Sequence, residues 1–469
     1  MNEKLIALYH AAPYGLKCTA ASIYGYYLKA WRYGRETDRL VAEARARESW
    51  GEDQWKTWRF EKLGALLERA VTQVPYYRNY WKQDGRRPEA WKRLENWPVL
   101  DKEILRRQPL SFLADDVRPR KMFHLNTSGT TGTPLSLLVS RDNLKKWYAL
   151  FEARWRQRYG VDRNSRWAIF GGKMVIPVSA EKPPFWIWNA GMSQLYCSTY
   201  HLSSANIPGY LKALRDYRIE YLFGYASSLY LLAAGMLEQG LEKPAGLRLI
   251  LSNAEPLFDH PRALIEKAFG CPAHSTYGMA EMVMGASECA SRRLHVWPES
   301  GVHEVLRDDG LIGPSGEGEL LATGLINTDM ILIRYAAGDR VTLEPESFTC
   351  GCGDLLPVLS SVQGRVNDML LTRDGRKIYW INPVFQDLPV REAQVIQEKT
   401  DTIRIRFVPD PGFTNEDETQ IARRLKERVG EMNLVMERVA GIPRGKNGKF
   451  RAVINRISGP AMPSERNNR

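Results

Sequence analysis

The spacing of apolar positions changes along the chain and divides it into three stretches. Between residues 36 and 95, Leu63, Leu66, Leu67 and Ala70 recur three and four apart, which predicts amphipathic helices running to a turn at Pro75-Tyr-Tyr. In the middle, compact apolar runs alternate with longer helical patterns. Residues 221–225 and 247–252 read as strands, and residues 227–239 and 260–269 as helices. That alternation predicts α/β layering. From residue 368 onward the pattern shifts to short strands, such as residues 403–408, and a charged helix over 416–429. The reading is a large layered α/β body followed by a small α+β domain. Residues 1–100 form a helical N-terminal region of the body, 101–366 its core and 368–469 the second domain, with a hinge near Asn367. No internal repeat or low-complexity tract interrupts this order, and the polar last ten residues are expected to fray.

The densest chemistry lies in Thr127-Ser-Gly-Thr-Thr-Gly-Thr-Pro134. Gly129 and Gly132 allow the backbone to approach an anion closely, and Thr127, Ser128, Thr130 and Thr131 add hydroxyl donors, so the loop suits a polyphosphate. No Lys-Ser/Thr pair follows at Walker A spacing, so it is a different kind of phosphate loop. The same composition also suits a plain turn between two strands. Four further segments follow: Ser275-Thr-Tyr-Gly-Met-Ala-Glu281, Tyr335-Ala-Ala-Gly-Asp339, Gly364-Arg365-Val-Asn-Asp368 and Pro443-Arg-Gly-Lys-Asn-Gly-Lys449. Read singly, the second is also a strand-end turn, and the cations of the last are also a solvated basic face.

Taken in this order, the five segments resemble those of the adenylate-forming ligase superfamily. Within it the chain is most similar to the phenylacetate-CoA ligases and their CapK-like relatives of capsular-polysaccharide biosynthesis. Pro134-Leu135 ending the phosphate loop, Ser252-Asn-Ala-Glu-Pro256 and Cys350-Gly-Cys-Gly353 carry the likeness to that branch. The resemblance implies a large α/β adenylate-forming domain with a mobile small domain, and it implies roles for residues. Tyr277, Ala254 and Glu255 would lie at the adenine and Glu281 would hold magnesium. Asp339 would accept hydrogen bonds from the ribose hydroxyls, an acceptor-only group facing two donors. Arg365 would contact ribose or phosphate. Lys449 would reach the reacting carboxylate and the α-phosphate, and Asn367 would stand where the family usually has a hinge aspartate. Tyr225 and Ala226 would lie near the acid. The implied reaction is ATP-dependent conversion of a carboxylic acid to an acyl-adenylate, with transfer to CoA or to a polysaccharide-precursor acceptor. Asn367 and a divergent, aromatic N-terminus leave room for a second reading, a nucleotide-binding or scaffold protein of envelope assembly without turnover.

Composition narrows the partners. With 66 basic and 54 acidic residues the net charge is +12, which suits ATP, CoA or an anionic sugar donor, and equally nucleic acid or an acidic membrane surface. No zinc-finger, helix-turn-helix or ribonucleoprotein motif favours nucleic acid. No run approaches the ~18 apolar residues of a membrane span, and no secretory leader is evident, so a cytoplasmic location is expected. Peripheral membrane contact stays open through residues 23–35, where Tyr24, Tyr26, Tyr27, Lys29, Trp31 and Arg32 give the aromatic and basic mixture of an interfacial helix; a core helix with snorkelling cations fits the same residues.

The six cysteines are too few and too dispersed for a secreted disulfide framework. Cys289, His295, Cys350 and Cys352 would make a four-ligand structural zinc site, although buried cysteines also serve as small apolar residues. His124, His201, His260, His274 and His303 read as surface or satisfied core residues. Trp186 and Trp188 suit either an acyl pocket or plain packing.

Overall fold

The computed structural model describes residues 8–83, 89–126, 135–365, 370–373, 376–378, 384–385, 388–443 and 450–457. The chain divides into two compact units. The larger comprises Met1–Leu257, Arg262–Ala337 and Val341–Ser361, the smaller Phe258–Pro261, Gly338–Arg340 and Val362–Arg469.

The larger unit opens with helices α1 (Tyr14–Arg32), α2 (Arg35–Ala46), α3 (Glu52–Gln73) and α4 (Pro75–Trp81). Pro75 starts a helix where the sequence suggested a turn. Its fixed φ and missing N–H are tolerated at the first helical position, after Val74 has ended α3 in extended geometry. A two-stranded ribbon follows, β1 (Phe123–Asn126) with β2 (Ser136–Val139), and then α5 (Arg141–Leu150).

The parallel strands are β3 (Trp167–Gly171), β5 (Gln194–Ser198), β6 (Tyr221–Gly224), β7 (Leu249–Ser252) and β8 (Ala273–Gly278), with β4 (Trp186–Asn189) antiparallel at the edge. Helices α6 (Ile207–Asp216), α7 (Ala226–Glu238) and α8 (Asp259–Phe269) connect them. The antiparallel half adds β9 (Gly285–Glu288), β10 (Leu294–Val296), β11 (Gly301–Leu306), β12 (Ile312–Gly313), β13 (Gly316–Gly324), β14 (Tyr335–Leu343) and β15 (Val358–Arg365). Together they form one thirteen-stranded sheet in the order β12-β11-β13-β14-β15-β10-β9-β8-β7-β6-β3-β5-β4.

The continuous apolar runs at β6 and β7 arise because both faces of the sheet are covered. On one face Ala168, Phe170, Leu195, Leu222 and Ile250 pack against Leu211, Leu214, Leu229 and Ile265 of the connecting helices. On the other, Trp167, Tyr221, Phe223, Leu249 and Leu251 pack with Val41, Ala44, Leu150, Trp155 and Trp297. That second face continues into Phe151–Arg156, a π-helical turn. Its Arg154 is ion-paired with Glu299 at 2.8 Å, and its Arg156 with Glu152 at 3.1 Å.

In the smaller unit, β18 (Val390–Lys399), β19 (Thr402–Pro409), β20 (Asn433–Arg438) and β21 (Val453–Asn455) form a sheet ordered β20-β19-β18-β21, after the short pair β16 (Leu370–Leu371) and β17 (Lys377–Ile378). Helix α9 (Asn415–Val429) buries Ile421, Leu425 and Val429 against Val395, Ile403, Ile405 and Phe407. A reciprocal cap between Thr414 and Asp417 sets its start.

His303 on β11 bonds to the Val283 carbonyl at 2.9 Å, and burial holds its imidazole down to about 4. The unfolded chain titrates it near the usual 6.5, so below that pH the unfolded state binds the extra proton. The stability that neutral His303 contributes is therefore complete above pH 6.5 and is lost as pH falls toward 4. Between those limits His303→Gln is expected to flatten the pH dependence of unfolding by on the order of 2 kcal/mol, measured by urea denaturation. An unchanged slope would refute it.

Candidate functional site

Strand β8 is the seam where the sheet changes from parallel pairing with β7 to antiparallel pairing with β9. In open α/β sheets, ligands bind beyond the carboxyl ends of parallel strands at such changes. The segments singled out from the sequence leave those ends together. After β6 come Tyr225 and Ala226, which start α7. Gly224 is closely crowded there: a β-carbon on it would stand 2.7 Å from the Phe170 carbonyl oxygen. After β7, Asn253 donates back to the Gly224 carbonyl at 2.9 Å and Ala254 takes the left-handed conformation, φ 62°. The Glu255 carboxylate accepts from Ser227 N–H at 2.9 Å, in the first turn of α7. Thr276 ties β8 to β7 through its hydroxyl on the Ser252 carbonyl, 2.7 Å. Tyr277 is half-buried at the end of β8.

Glu281 follows in a turn closed by Met282 N–H on Met279 O, 3.1 Å, with Met282 at φ 57°. Its side chain is buried, 7 % exposed. The Tyr335 hydroxyl, itself fully buried, donates to Glu281 Oε1 at 2.9 Å, and Lys102 Nζ lies 3.3 Å from the same oxygen. Leu100 brings Lys102 there: it pairs with the start of β14, donating to the Arg334 carbonyl and accepting from Ala336 N–H. Asp101 then caps the short helix Lys102–Arg107. Sequence reasoning missed Lys102 and missed Tyr335 as a partner of Glu281. The only local signal was the Asp-Lys start of a helix, which carries no hint of a contact 179 residues away. A carboxylate with both bonds from described residues on Oε1 retains Oε2 for a cation, and magnesium commonly takes one or two protein carboxylates with water and phosphate completing its shell.

Asp339 is 8 % exposed and lies within β14, just after Gly338, whose φ is 76°. Arg365 ends β15. The phosphate loop with Thr127, Ser128, Gly129, Thr130, Thr131 and Gly132, the hinge residue Asn367 and Lys449 lie outside the described residues. Trp186 and Trp188 pack against α6 and the residue that follows it: Trp186 lies on Tyr210, 5.6 Å between rings, and Trp188 stacks on Tyr217 at 4.8 Å. His201 and His274 are likewise in ring stacks, with Phe185 and Tyr159.

The structure brings the four candidate metal ligands together. Cys289 follows β9, His295 is the middle of β10, and Cys350 and Cys352 lie in the turn before β15; their ligand atoms all fall within 4.8 Å of one another. Pairing of β10 with both β9 and β15 causes this, placing His295 opposite Ser287 and Val358. Two tight turns complete the cradle, Cys289 N–H on Arg293 O and Gly353 N–H on Cys350 O, with Gly353 at φ 80°.

The fit to zinc can be tested on distances. Tetrahedral ligands at zinc bond lengths stand about 3.8 Å apart for two sulfurs and about 3.5 Å for sulfur and nitrogen. Here Cys289 Sγ and Cys350 Sγ are 3.8 Å apart, and Cys352 Sγ and His295 Nε2 are 3.4 Å apart. His295 Nδ1 is held by the Leu356 carbonyl at 2.8 Å, leaving Nε2 facing the sulfurs, the usual arrangement of a ligating imidazole. Burial lowers the His295 pKa, keeping the ring neutral as a ligand must be. These residues fit a four-ligand ion with no open position.

Comparison with known proteins adds four findings. Residues 370–456 match the family described as the CapK C-terminal domain. The chain is 28% identical to Protein CapK of Staphylococcus aureus over 378 residues, 77% of this chain and 80% of that protein. It is 25% identical to the phenylacetate-coenzyme A ligase of Thermus thermophilus over 438 residues, 84% and 95% of the two chains. Among solved structures, 2-hydroxyisobutyryl-CoA ligase in the postadenylation state, in complex with R3-HIB-AMP, superposes with a TM-score of 0.68 at 21% identity, over 87% of this chain and 91% of that one. The large α/β architecture is therefore that of adenylate-forming CoA ligases.

Proposed function

We propose that this chain, which belongs to the adenylate-forming superfamily in its phenylacetate-CoA ligase and CapK-like branch, activates a carboxylic acid with ATP and passes the acyl group to CoA or to a polysaccharide-precursor acceptor. One observation carries the reading. The Tyr277-to-Glu281 segment stands at the carboxyl end of the seam strand with its carboxylate buried and hydrogen-bonded, where a cation-binding group beside a nucleotide belongs.

The chemistry sets the demands on the site. A carboxylate oxygen attacks the α-phosphorus of ATP, the bond to the β-phosphate bridging oxygen breaks, and pyrophosphate leaves. Two anions must approach first, so fixed positive charge and oriented donors supply most of the acceleration. In this chain the loop from Thr127 to Gly132 would bind phosphate oxygens, and Glu281 would hold magnesium, which when bound neutralises charge on the triphosphate. Tyr335 and Lys102 fix the Glu281 carboxylate in place and offset its burial. Tyr277 would lie against adenine, with Ala254 and Glu255 beside it. Asp339 and Arg365 would hold the ribose, and Lys449 would draw the acid and the α-phosphate together. The four-ligand cluster at Cys289, His295, Cys350 and Cys352 would hold a structural zinc.

Pyrophosphate exchange tests the proposal. Incorporation of labelled pyrophosphate into ATP that depends on one class among aryl, fatty, amino and sugar acids is the expected result. ATP binding without exchange across that whole panel would favour a nucleotide-binding role without turnover.

A further inference from the structure

Helix α1 presents two unlike faces. Its inner face is locked to the sheet edge by close backbone contact. A β-carbon on Gly25 would stand 1.9 Å from Asn189 Oδ1, and one on Gly191 would stand 2.2 Å from Tyr26 N. Ser22 Oγ accepts from Ala190 N–H at 3.0 Å, Tyr14 and Tyr217 share a hydroxyl contact of 3.2 Å, and Leu28 is buried. The helix is therefore held firmly in one orientation, and its other face is presented rather than loose.

That outer face is apolar. Leu16, Ala20, Ile23 and Tyr27 follow one another at helical spacing and are exposed, Leu16 to 61% and Ile23 to 67%, with Tyr24 and Tyr26 exposed beside them. Soluble proteins rarely leave so continuous an apolar stripe uncovered. The helix Tyr14–Arg32 contains no acidic residue. Lys17 lies half-buried at its border, where its stem can lie along apolar surface with the ammonium group outward; Lys29, one turn after Gly25, turns inward and donates to Asn164 Oδ1 at 3.3 Å. From α5, the Arg141 guanidinium stands 5.7 Å from the ring centres of both Tyr27 and Trp31 and adds a cation to the same margin.

From this arrangement we infer that the outer face of α1 is a peripheral docking surface for acidic phospholipid bilayers. Tyrosine rings at headgroup depth, aliphatic side chains beneath them and cations at the rim match the layers of such a surface in order. The charge pattern selects the occupant: a helix free of acids, with Lys17 and Arg141 at the rim of its apolar stripe, complements anionic headgroups, and two copies of it facing each other would place like charges together. The helix lies in the interface plane; among the described residues no helix is long and apolar enough to cross a membrane. This inference is independent of the catalytic reading.

Vesicle co-sedimentation of the full chain tests it. Binding to vesicles of equal phosphatidylglycerol and phosphatidylcholine is expected at low salt, with little binding to phosphatidylcholine alone and release in 0.5 M salt, an ionic strength at which screening is about threefold shorter-ranged than at 0.05 M. The double variant Leu16→Glu, Ile23→Glu is expected to weaken binding at least about tenfold, with an unchanged thermal midpoint because both side chains are exposed. Lys17→Ala with Arg141→Ala keeps the apolar stripe and is expected to abolish the preference for acidic lipid. Failure of the wild-type chain to sediment with acidic vesicles at low salt would overturn the inference, as would binding indifferent to both variants. A concentration-dependent dimer by light scattering that the Leu16 and Ile23 changes dissolve would also overturn it, assigning the face to a second copy.

Discussion

Lys449→Ala is expected to slow adenylate formation by roughly 10²–10³-fold, the usual loss when one charged donor is taken from a developing anionic centre, while acyl transfer from a preformed adenylate falls by less than about tenfold. The asymmetry follows from the chemistry. Charge accumulates around a five-coordinate α-phosphorus only while the carboxylate displaces pyrophosphate; in the second half-reaction the bonds form and break at the acyl carbon, the phosphorus stays tetrahedral, and AMP takes the electron pair of the C–O bond as it leaves. Lys446→Ala removes a neighbouring lysine of the same basic segment and is expected to change neither rate more than about twofold, since a solvated cation contributes little. Single-turnover measurement of each half-reaction separates the cases. Equal losses in both would sink the assignment of Lys449, and a large loss from Lys446→Ala would show a general electrostatic role for the segment.

The second large effect concerns the Cys3His cluster. The purified chain is expected to carry one zinc ion, and Cys350→Ser to lose it together with about 4 kcal/mol of unfolding free energy, the chain-entropy value for a cross-link closing a loop of this length. Cys289 and Cys350 are 61 residues apart in sequence and 3.8 Å apart in space, so an ion joining them restricts the unfolded chain much as a disulfide would. Without a cation the ligating thiolate form is disfavoured, since burial, together with the neighbouring Cys350 and Cys289, pushes the Cys352 thiol up to about 12. Elemental analysis and urea denaturation, each on wild type and variant, check the two parts. A metal-free wild-type chain that unfolds at the same urea concentration as Cys350→Ser would falsify the prediction.

How much of this was legible in the sequence depended on the range of the interaction. Helix α7 and helix α9 each begin within one residue of their expected start, and α9 ends where expected, because the local apolar pattern marks both and the Thr414–Asp417 cap fixes the start of α9. The grouping of Cys289, His295, Cys350 and Cys352 was legible because cysteine and histidine are rare in this chain and carry their own chemistry, and strand pairing brings them together. Pro75 was misread because proline punctuates turns and also begins helices. Lys102 and Tyr335 were not legible as partners of Glu281, because nothing local distinguishes a lysine that crosses the fold to a buried carboxylate from one that faces water. The same limit hid the ion pairs of the π-helical turn, where Arg154 and Arg156 have the local signature of a solvated helix face. The order of thirteen strands is a property of long-range pairing and left no trace in the spacing of apolar residues. The phosphate loop, Asn367 and Lys449 rest on sequence resemblance.

Strand order also bears on how the protein is made. β15 is the strand that joins the sheet's two halves, β12-β11-β13-β14 on one side and β10 through β4 on the other. A ribosome releases it after the other twelve strands of the sheet have emerged, so until residues 358–365 appear its two neighbours β14 and β10 have open edges with no strand between them. The last residue of the candidate metal cluster, Cys352, emerges just six residues earlier. Ion capture by the growing chain would then fasten the β9-β10 side to the turn leading into β15 at the moment that strand must find its slot. If the cluster holds zinc as proposed, a cell short of zinc would accumulate chains with those edges unjoined, a population prone to pair with one another before synthesis is complete.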